Sequence, residues 1–149
     1  MPRPALPALL VSLAVACGSS SPTTTTTTSS IDTPKSLHAD VLPIFQNSCT
    51  ANPTCHGTPD GIEVFLTGGD IRGRLVGVPS SELATMPYIT AGDPTNSYLM
   101  HKVDGTLDDF AAHCAKGDCG AQMPKGETPL SSSDRDVIRA WIEQGALDN

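Results

Sequence analysis

Three residues in one short stretch have the types and order needed to bind a cofactor covalently: Cys49, Cys55 and His56. Two cysteines with a histidine directly after the second attach haem, because the thiols add to its vinyl groups and the imidazole binds the iron. The usual motif has two residues between the cysteines, whereas this stretch has five. The same residues also permit a small disulfide loop between Cys49 and Cys55 with an ordinary loop histidine beside it, so the stretch alone leaves both interpretations open.

The first 17 residues have the pattern of a bacterial lipoprotein signal. A short basic region at Arg3 precedes an apolar run that ends at Leu13, and the small residues Ala14-Val15-Ala16 form a cleavage site before Cys17. We expect Cys17 to become the lipidated first residue, although a leucine three residues before the cysteine would be more usual. A plain secretory signal is the alternative. Either leader predicts export from the cytoplasm, to surroundings in which cysteines are commonly oxidised. With the lipoprotein signal, we expect a location in the cell envelope, facing the periplasm or the outer surface.

Residues 18–36 are predicted to be a flexible tether and residues 37–149 a single domain. The tether is rich in Ser and Thr and has too little apolar surface to fold. The chain has only six aromatic residues, so its core needs support from a buried cofactor or from disulfides. Without the leader there are 8 Lys and Arg against 16 Asp and Glu, a net charge of −8. This charge argues against nucleic acid or anionic lipid as a partner and is compatible with a basic redox partner.

The spacing of apolar residues predicts short elements in the first part of the domain. A first helix should begin with Asp40 as N-cap and run directly into Cys49. Its apolar face contains Val41, Ile44 and Phe45. Alternation predicts a brief strand or extended segment at Ile62, Val64 and Leu66. Further short helices are predicted after Asp70, at Asp93-Pro94 and around Phe110.

The last helix carries the clearest signals. Ser131 and Asp134 have the spacing of a capping box, and Gly145 is placed to end the helix. Its apolar residues recur at helical spacing: Val137, Ile138, Trp141 and Ile142. We expect Trp141 to lie across the helix of Phe45 and so to hold the two ends of the domain together.

In this order, the segments resemble the small c-type cytochrome domains of secreted and lipoprotein-type bacterial proteins. The matching segments are Val41 to Phe45, Cys55-His56-Gly57, Gly92 to Leu99, Met123-Pro124 and Leu130 to Ala146. The resemblance implies a mostly α fold with long loops around one haem c, attached through Cys49 and Cys55, with His56 and Met123 as axial ligands of the iron. The longer gap between the cysteines departs from the family pattern, and Asn52-Pro53 is suited to looping out the extra residues.

Two Met-Pro pairs compete for the sixth position on the iron, Met86-Pro87 and Met123-Pro124. The resemblance places the ligand just before the final helix, which favours Met123, whereas Met86 lies in a segment typical of core lining. His101 and His113 are further alternatives, and His38 is most simply a surface histidine.

A second cysteine pair, Cys114 and Cys119, has no histidine after it and is not a second haem site. We expect a local disulfide that stiffens the segment of Met123. The rival is a zinc site made from all four cysteines of the domain, with or without His56, although both pairs are spaced more widely than zinc sites prefer.

The sequence therefore predicts a monomeric single-electron carrier, tethered to a membrane by its lipid anchor, and not an enzyme. Ligation by His and Met favours a relatively high reduction potential. The alternative is a haem-free, disulfide-stabilised lipoprotein with the same fold that serves as a binding or structural module.

Overall fold

The computed structural model describes residues 33–52, 54–59 and 64–149. The leader with Cys17 and the tether up to residue 32 lie outside the described residues, as do Pro53 and Ile62. Helices predominate in the described part, which confirms the prediction of a mostly α chain. None of these helices is long and apolar enough to cross a membrane.

The first helical element extends from residue 37 to residue 48 and consists of two types of helix. One turn of π-helix, Leu37–Val41, continues into α1, Leu42–Ser48. The prediction of Asp40 as N-cap is wrong, because Ser36 caps the element by accepting the Ala39 N–H at 3.0 Å. Asp40 instead accepts the backbone N–H of Ser36 at 2.8 Å. The two residues therefore cap the helix reciprocally, one turn earlier than predicted.

Three further α-helices follow among the described residues: α2 is Ile71–Leu75, α3 is Tyr98–Asp104 and α4 is Ser132–Glu143. Single 3-10 segments lie at Pro94–Asn96 and Leu107–His113. Asp70 caps α2 as predicted, by accepting the Gly73 N–H at 2.6 Å. Ser131 caps α4 in the same way, by accepting the Asp134 N–H at 3.1 Å.

The helix predicted at Asp93-Pro94 is divided in two. Asp93 caps only the 3-10 turn Pro94–Asn96, and α3 begins separately at Tyr98. The residue between them, Ser97, is extended and buried. Its hydroxyl donates to the Asp93 carbonyl at 2.7 Å and accepts the Thr90 N–H at 2.9 Å. These bonds hold Ser97 against the preceding loop and prevent a continuous helix.

The brief strand or extended segment predicted at Ile62, Val64 and Leu66 is not a paired strand at residues 64–66, and Ile62 lies outside the described residues. Val64 and Leu66 make hydrogen bonds to His56, and the Phe65 carbonyl accepts from Arg74, in place of bonds to a neighbouring strand. In the described ranges, β pairing is limited to the isolated bridges Val76–Ile89, Pro79–Pro87 and Thr90–Asp93.

The last helix holds the two ends of the described domain together. It packs against α3 and against the π-helical turn that leads into α1. Trp141 is fully buried in the same core cluster as Phe45. Nearby, Asn149 accepts the backbone N–H of Leu37 at 3.1 Å through its side chain and that of His38 at 3.1 Å through its carbonyl.

Candidate functional site

The loop after α1 folds back on the end of that helix. Cys49 is the C-cap residue of α1, and its N–H donates to the Phe45 carbonyl at 2.8 Å. Six residues further on, Cys55 donates to the Asn52 carbonyl at 2.9 Å, and His56 donates to the Cys49 carbonyl at 3.1 Å. The longer gap between the cysteines is therefore taken up by a closed loop that returns His56 to the backbone of Cys49.

Asn52 shapes the tip of this loop. Its side-chain oxygen accepts the N–H of Thr54 at 3.0 Å and the hydroxyl of Thr54 at 2.8 Å. This is an Asx-turn, which reverses the chain without any secondary structure. The sequence predicted the reversal at Asn52-Pro53, of which Pro53 lies outside the described residues.

Cys49 and Cys55 are both free thiols in this structure. Cys49 is partly buried against the apolar core, and Cys55 is exposed. Burial, together with the nearby Cys55 thiol, raises the pKa of Cys49 to about 11. Cys49 is therefore a protonated thiol at neutral pH, and the small disulfide loop between the two cysteines is not formed.

The ring of His56 is fixed by the backbone of the following segment. Its Nδ1 lies 2.6 Å from the carbonyl oxygen of Val64. A carbonyl oxygen can only accept, so Nδ1 must carry the proton and donate it. The neutral ring then has its lone pair on Nε2, the nitrogen left to bind a metal. Histidines that ligate metals commonly donate their other ring N–H to a backbone carbonyl in this way.

Arg74 supports the segment that holds His56, and the sequence analysis missed it. From α2, its guanidinium donates to the carbonyl oxygens of Phe65 at 3.2 Å, Thr67 at 3.0 Å and Gly68 at 2.7 Å. It also stacks 3.9 Å from the centre of the Phe65 ring. The segment itself returns to the site, because Leu66 donates to the His56 carbonyl at 2.8 Å. A cluster of carbonyl acceptors has no signature in residue types, so no sequence pattern could have indicated this role.

Met123 is half-buried and is held by α3. Its N–H donates to the Lys102 carbonyl at 2.8 Å, and the side chain of the preceding Gln122 donates to the Val103 carbonyl at 3.3 Å. Gln122 lies so close to Gly105, which ends α3 at a positive φ of 73°, that a Cβ there would meet it at 2.7 Å. The segment of Met123 is thus fastened along the end of α3.

The second cysteine pair, Cys114 and Cys119, is bonded as a disulfide with Cα atoms 5.3 Å apart. It closes the turn that leads to the Met123 segment. Because these two sulfurs are bonded to each other, they are not thiolate ligands for the four-cysteine zinc site considered from the sequence. Among the described residues, no group of three or more His, Cys, Asp and Glu side chains is placed to hold a metal ion.

The remaining histidines, and Met86, which the sequence analysis compared with Met123 as a ligand of the iron, lie in different surroundings from Met123. Both ring nitrogens of His101 are engaged: Nε2 must donate to the Thr95 carbonyl at 3.0 Å, so Nδ1 accepts the Thr106 hydroxyl at 2.7 Å. His38 pairs with Asp148 at 3.1 Å on the surface. His113 is exposed at the end of its 3-10 segment. Met86 is 8% exposed and belongs to the apolar core.

The structure thus brings Cys49, Cys55 and His56 into one loop and holds Met123 on a separate support. The hydrogen bonds described for the first loop go to α1 and to residues 64–67, whereas those of the Met123 segment go to α3. Two free thiols in one loop and an imidazole with Nε2 as its acceptor form a donor set that fits a covalently attached haem.

Comparison with known proteins identifies no relative: no family model matches the chain, and no curated protein or solved structure matches it either. A fold class by itself does not imply an activity. Any function for this chain therefore has to be argued from its own residues.

Proposed function

We propose that this chain is a c-type cytochrome that carries single electrons, with haem c attached through Cys49 and Cys55. The observation that carries the proposal is the fixed ring of His56, whose Nδ1 donates to the Val64 carbonyl at 2.6 Å. That bond leaves Nε2 as the ligand nitrogen and holds the ring in one orientation directly after an unpaired cysteine. A disulfide loop with an incidental histidine would need neither feature.

The two thiols supply the attachment chemistry. Each thiol adds across one vinyl group, so that a sulfur–carbon bond forms and the thiol proton ends on the neighbouring vinyl carbon, with no oxidant or reductant required. Both cysteines are reduced, as this addition demands. The backbone bond from His56 to the Cys49 carbonyl keeps the first cysteine next to the second despite the five residues between them.

His56 and Met123 are the proposed axial ligands, and the bound haem would supply the reversible one-electron change at its iron. Met123 is the favoured sixth ligand because it is half-buried in a loop fastened to α3, whereas Met86 is core and His101 has both nitrogens engaged. A thioether ligand stabilises ferrous iron and so favours a relatively high potential. The small c-type cytochrome fold implied by the resemblance belongs to this proposal, as do the lipid anchor at Cys17, the location in the cell envelope and a partner with a basic docking surface.

The test is to express the full chain together with a haem-attachment system. We expect a c-type absorption spectrum and an intact mass increased by one haem that survives extraction with acid and acetone. Cys55→Ala should abolish the holoprotein, and Cys49→Ala should leave a singly attached, weaker product. The double variant Cys114→Ser/Cys119→Ser is the control, because it removes the other cysteine pair of the domain, leaves Cys49 and Cys55 in place and should still attach haem. A Cys49–Cys55 disulfide in protein matured with haem would instead indicate the haem-free binding or structural module.

A further inference from the structure

We infer that Lys102 and Tyr98 are positioning residues for the Met123 ligand, because both hold the carbonyl of Cys119 at the start of the segment that carries it. The inference rests on the proposed function. Lys102 Nζ donates to this oxygen at 3.1 Å, and the Tyr98 hydroxyl donates to it at 2.6 Å. Both residues are on α3, one turn apart.

Lys102 holds the segment at both of its ends. Its side chain binds the Cys119 carbonyl, and its own carbonyl accepts the Met123 N–H at 2.8 Å. The intervening residues have no regular secondary structure. Lys102 therefore binds the chain at both ends of the stretch from Cys119 to Met123, Tyr98 adds a second donor at the first end, and Gln122 is bonded to Val103 between them.

Lys102 is buried although its side chain carries an ammonium group, which indicates that the hydrogen bond from this group to Cys119 matters for the structure. Only 8% of the residue is exposed, and its neighbours on the buried face of α3 are Tyr98, Met100 and Val103. Burial lowers the pKa of Lys102, while the carboxylates of Glu82 and Asp118 act in the opposite direction. An apolar side chain would fill this position without the cost of removing an ammonium group from water.

The backbone of the loop leaves room for the ammonium group. Gly120, directly after the bonded carbonyl, has a φ of 73°, and a Cβ there would lie 2.8 Å from Lys102 Nζ. The disulfide fixes Cys119 to Cys114. Ala115, which follows Cys114, donates its backbone N–H to the Glu82 carbonyl at 2.8 Å. Lys102 and Tyr98 thus connect an already anchored turn to the helix that supports Met123.

The test measures the iron–thioether charge-transfer band and the reduction potential of the haem-loaded full chain. Lys102→Met keeps the length of the side chain and removes the donor, so we expect a weaker band and a lower potential with haem attachment unchanged. Tyr98→Phe removes one hydroxyl and should shift both readouts in the same direction by less. Lys102→Arg should largely restore them. Lys116→Met, an exposed lysine in the disulfide turn, is the control with the same charge change and should leave both readouts as in the wild type.

Unchanged band and potential in Lys102→Met would overturn the inference, even if the variant melts at a lower temperature, because that result would show a purely structural role. If Lys102→Met does not fold, Tyr98→Phe decides by the same readouts. A wild-type chain that attaches haem but lacks the band would overturn the role of Met123 and this inference together, while leaving the cytochrome proposal intact. A wild-type chain without covalent haem would overturn all three.

Discussion

Cys49 and Cys55 lie in the same loop but in different surroundings. The thiolate is the reactive form of cysteine, and burial raises the pKa of Cys49 to about 11, whereas Cys55 is exposed. In the haem-free protein at pH 8, we therefore expect iodoacetamide to label Cys55 well before Cys49, as measured by mass spectrometry of the two peptides. Unfolding in urea should bring the two rates together. Faster labelling of Cys49 in the folded chain would contradict the partial burial of its thiol.

The two Met-Pro pairs can be separated by substitution. Met123→Ala should remove the iron–thioether charge-transfer band and lower the potential, because it removes the proposed ligand. Met86→Ala should keep the band and cost about 2–5 kcal/mol of stability, since Met86 fills the core. Absorption spectra, redox titration and chemical denaturation check the pair. The reverse pattern would make Met86 the ligand, and a band that is absent from the wild type would point to histidine ligation or an open site.

At the scale of residues, the sequence indicated candidate side chains but not the groups that hold them. Cys49, Cys55 and His56 could be singled out because their types and order are typical of haem attachment. Their supports are the carbonyls of Val64 and Cys49, and every residue type has a carbonyl. The contribution of Arg74 could likewise not be predicted from the sequence, because its three acceptors are backbone carbonyl oxygens.

Among the helical elements, the cap at Asp93 gives a pH-dependent prediction. Hydrogen bonds from Thr95 and Asn96 lower the pKa of the Asp93 carboxyl below 3.8. A carboxyl whose pKa is lower in the folded state contributes stability above its unfolded pKa and loses it as the pH falls through the folded one. Asp93→Asn keeps a capping side chain without the charge. Its melting temperature should be below that of the wild type at pH 7, and the difference should shrink as the pH is lowered through the range in which the Asp93 carboxyl becomes protonated. A difference that stays the same size as the pH falls would contradict this account.

The elements that the sequence predicted well are those whose signals are local. Asp70 and Ser131 cap their helices by bonds within three residues, which spacing alone can indicate. The errors arise where contacts outside the helix decide. Ser97 is held extended by Thr90 and Asp93. Val64 and Leu66 bond to His56 in place of a strand partner. Ser36 displaced Asp40 as the cap because the helix begins with a π turn, which apolar spacing does not indicate.

For the molecule as a whole, the proposed anchor is the feature to test first. Cys17 lies outside the described residues, and the lipoprotein pattern around it predicts that the native protein partitions with membranes. Several acyl chains together give firm anchoring, whereas one gives only marginal binding. Cys17→Ser should therefore move the protein to the soluble fraction after lysis, as followed by immunoblotting. Equal partitioning of the two proteins would rule out the lipid anchor.

The pairing of residues 35–38 with Gln144 and Asn149 has a consequence for how this domain can be connected to other chains. Lys35 donates to the Gln144 side chain at 2.6 Å, and Leu37 donates to the Asn149 side chain at 3.1 Å. The two ends of the described domain therefore lie side by side. A unit with adjoining ends can be spliced into a surface loop of a host protein without stretching that loop. It can also be circularly permuted by joining the two ends with a few residues and opening the chain at an exposed turn elsewhere.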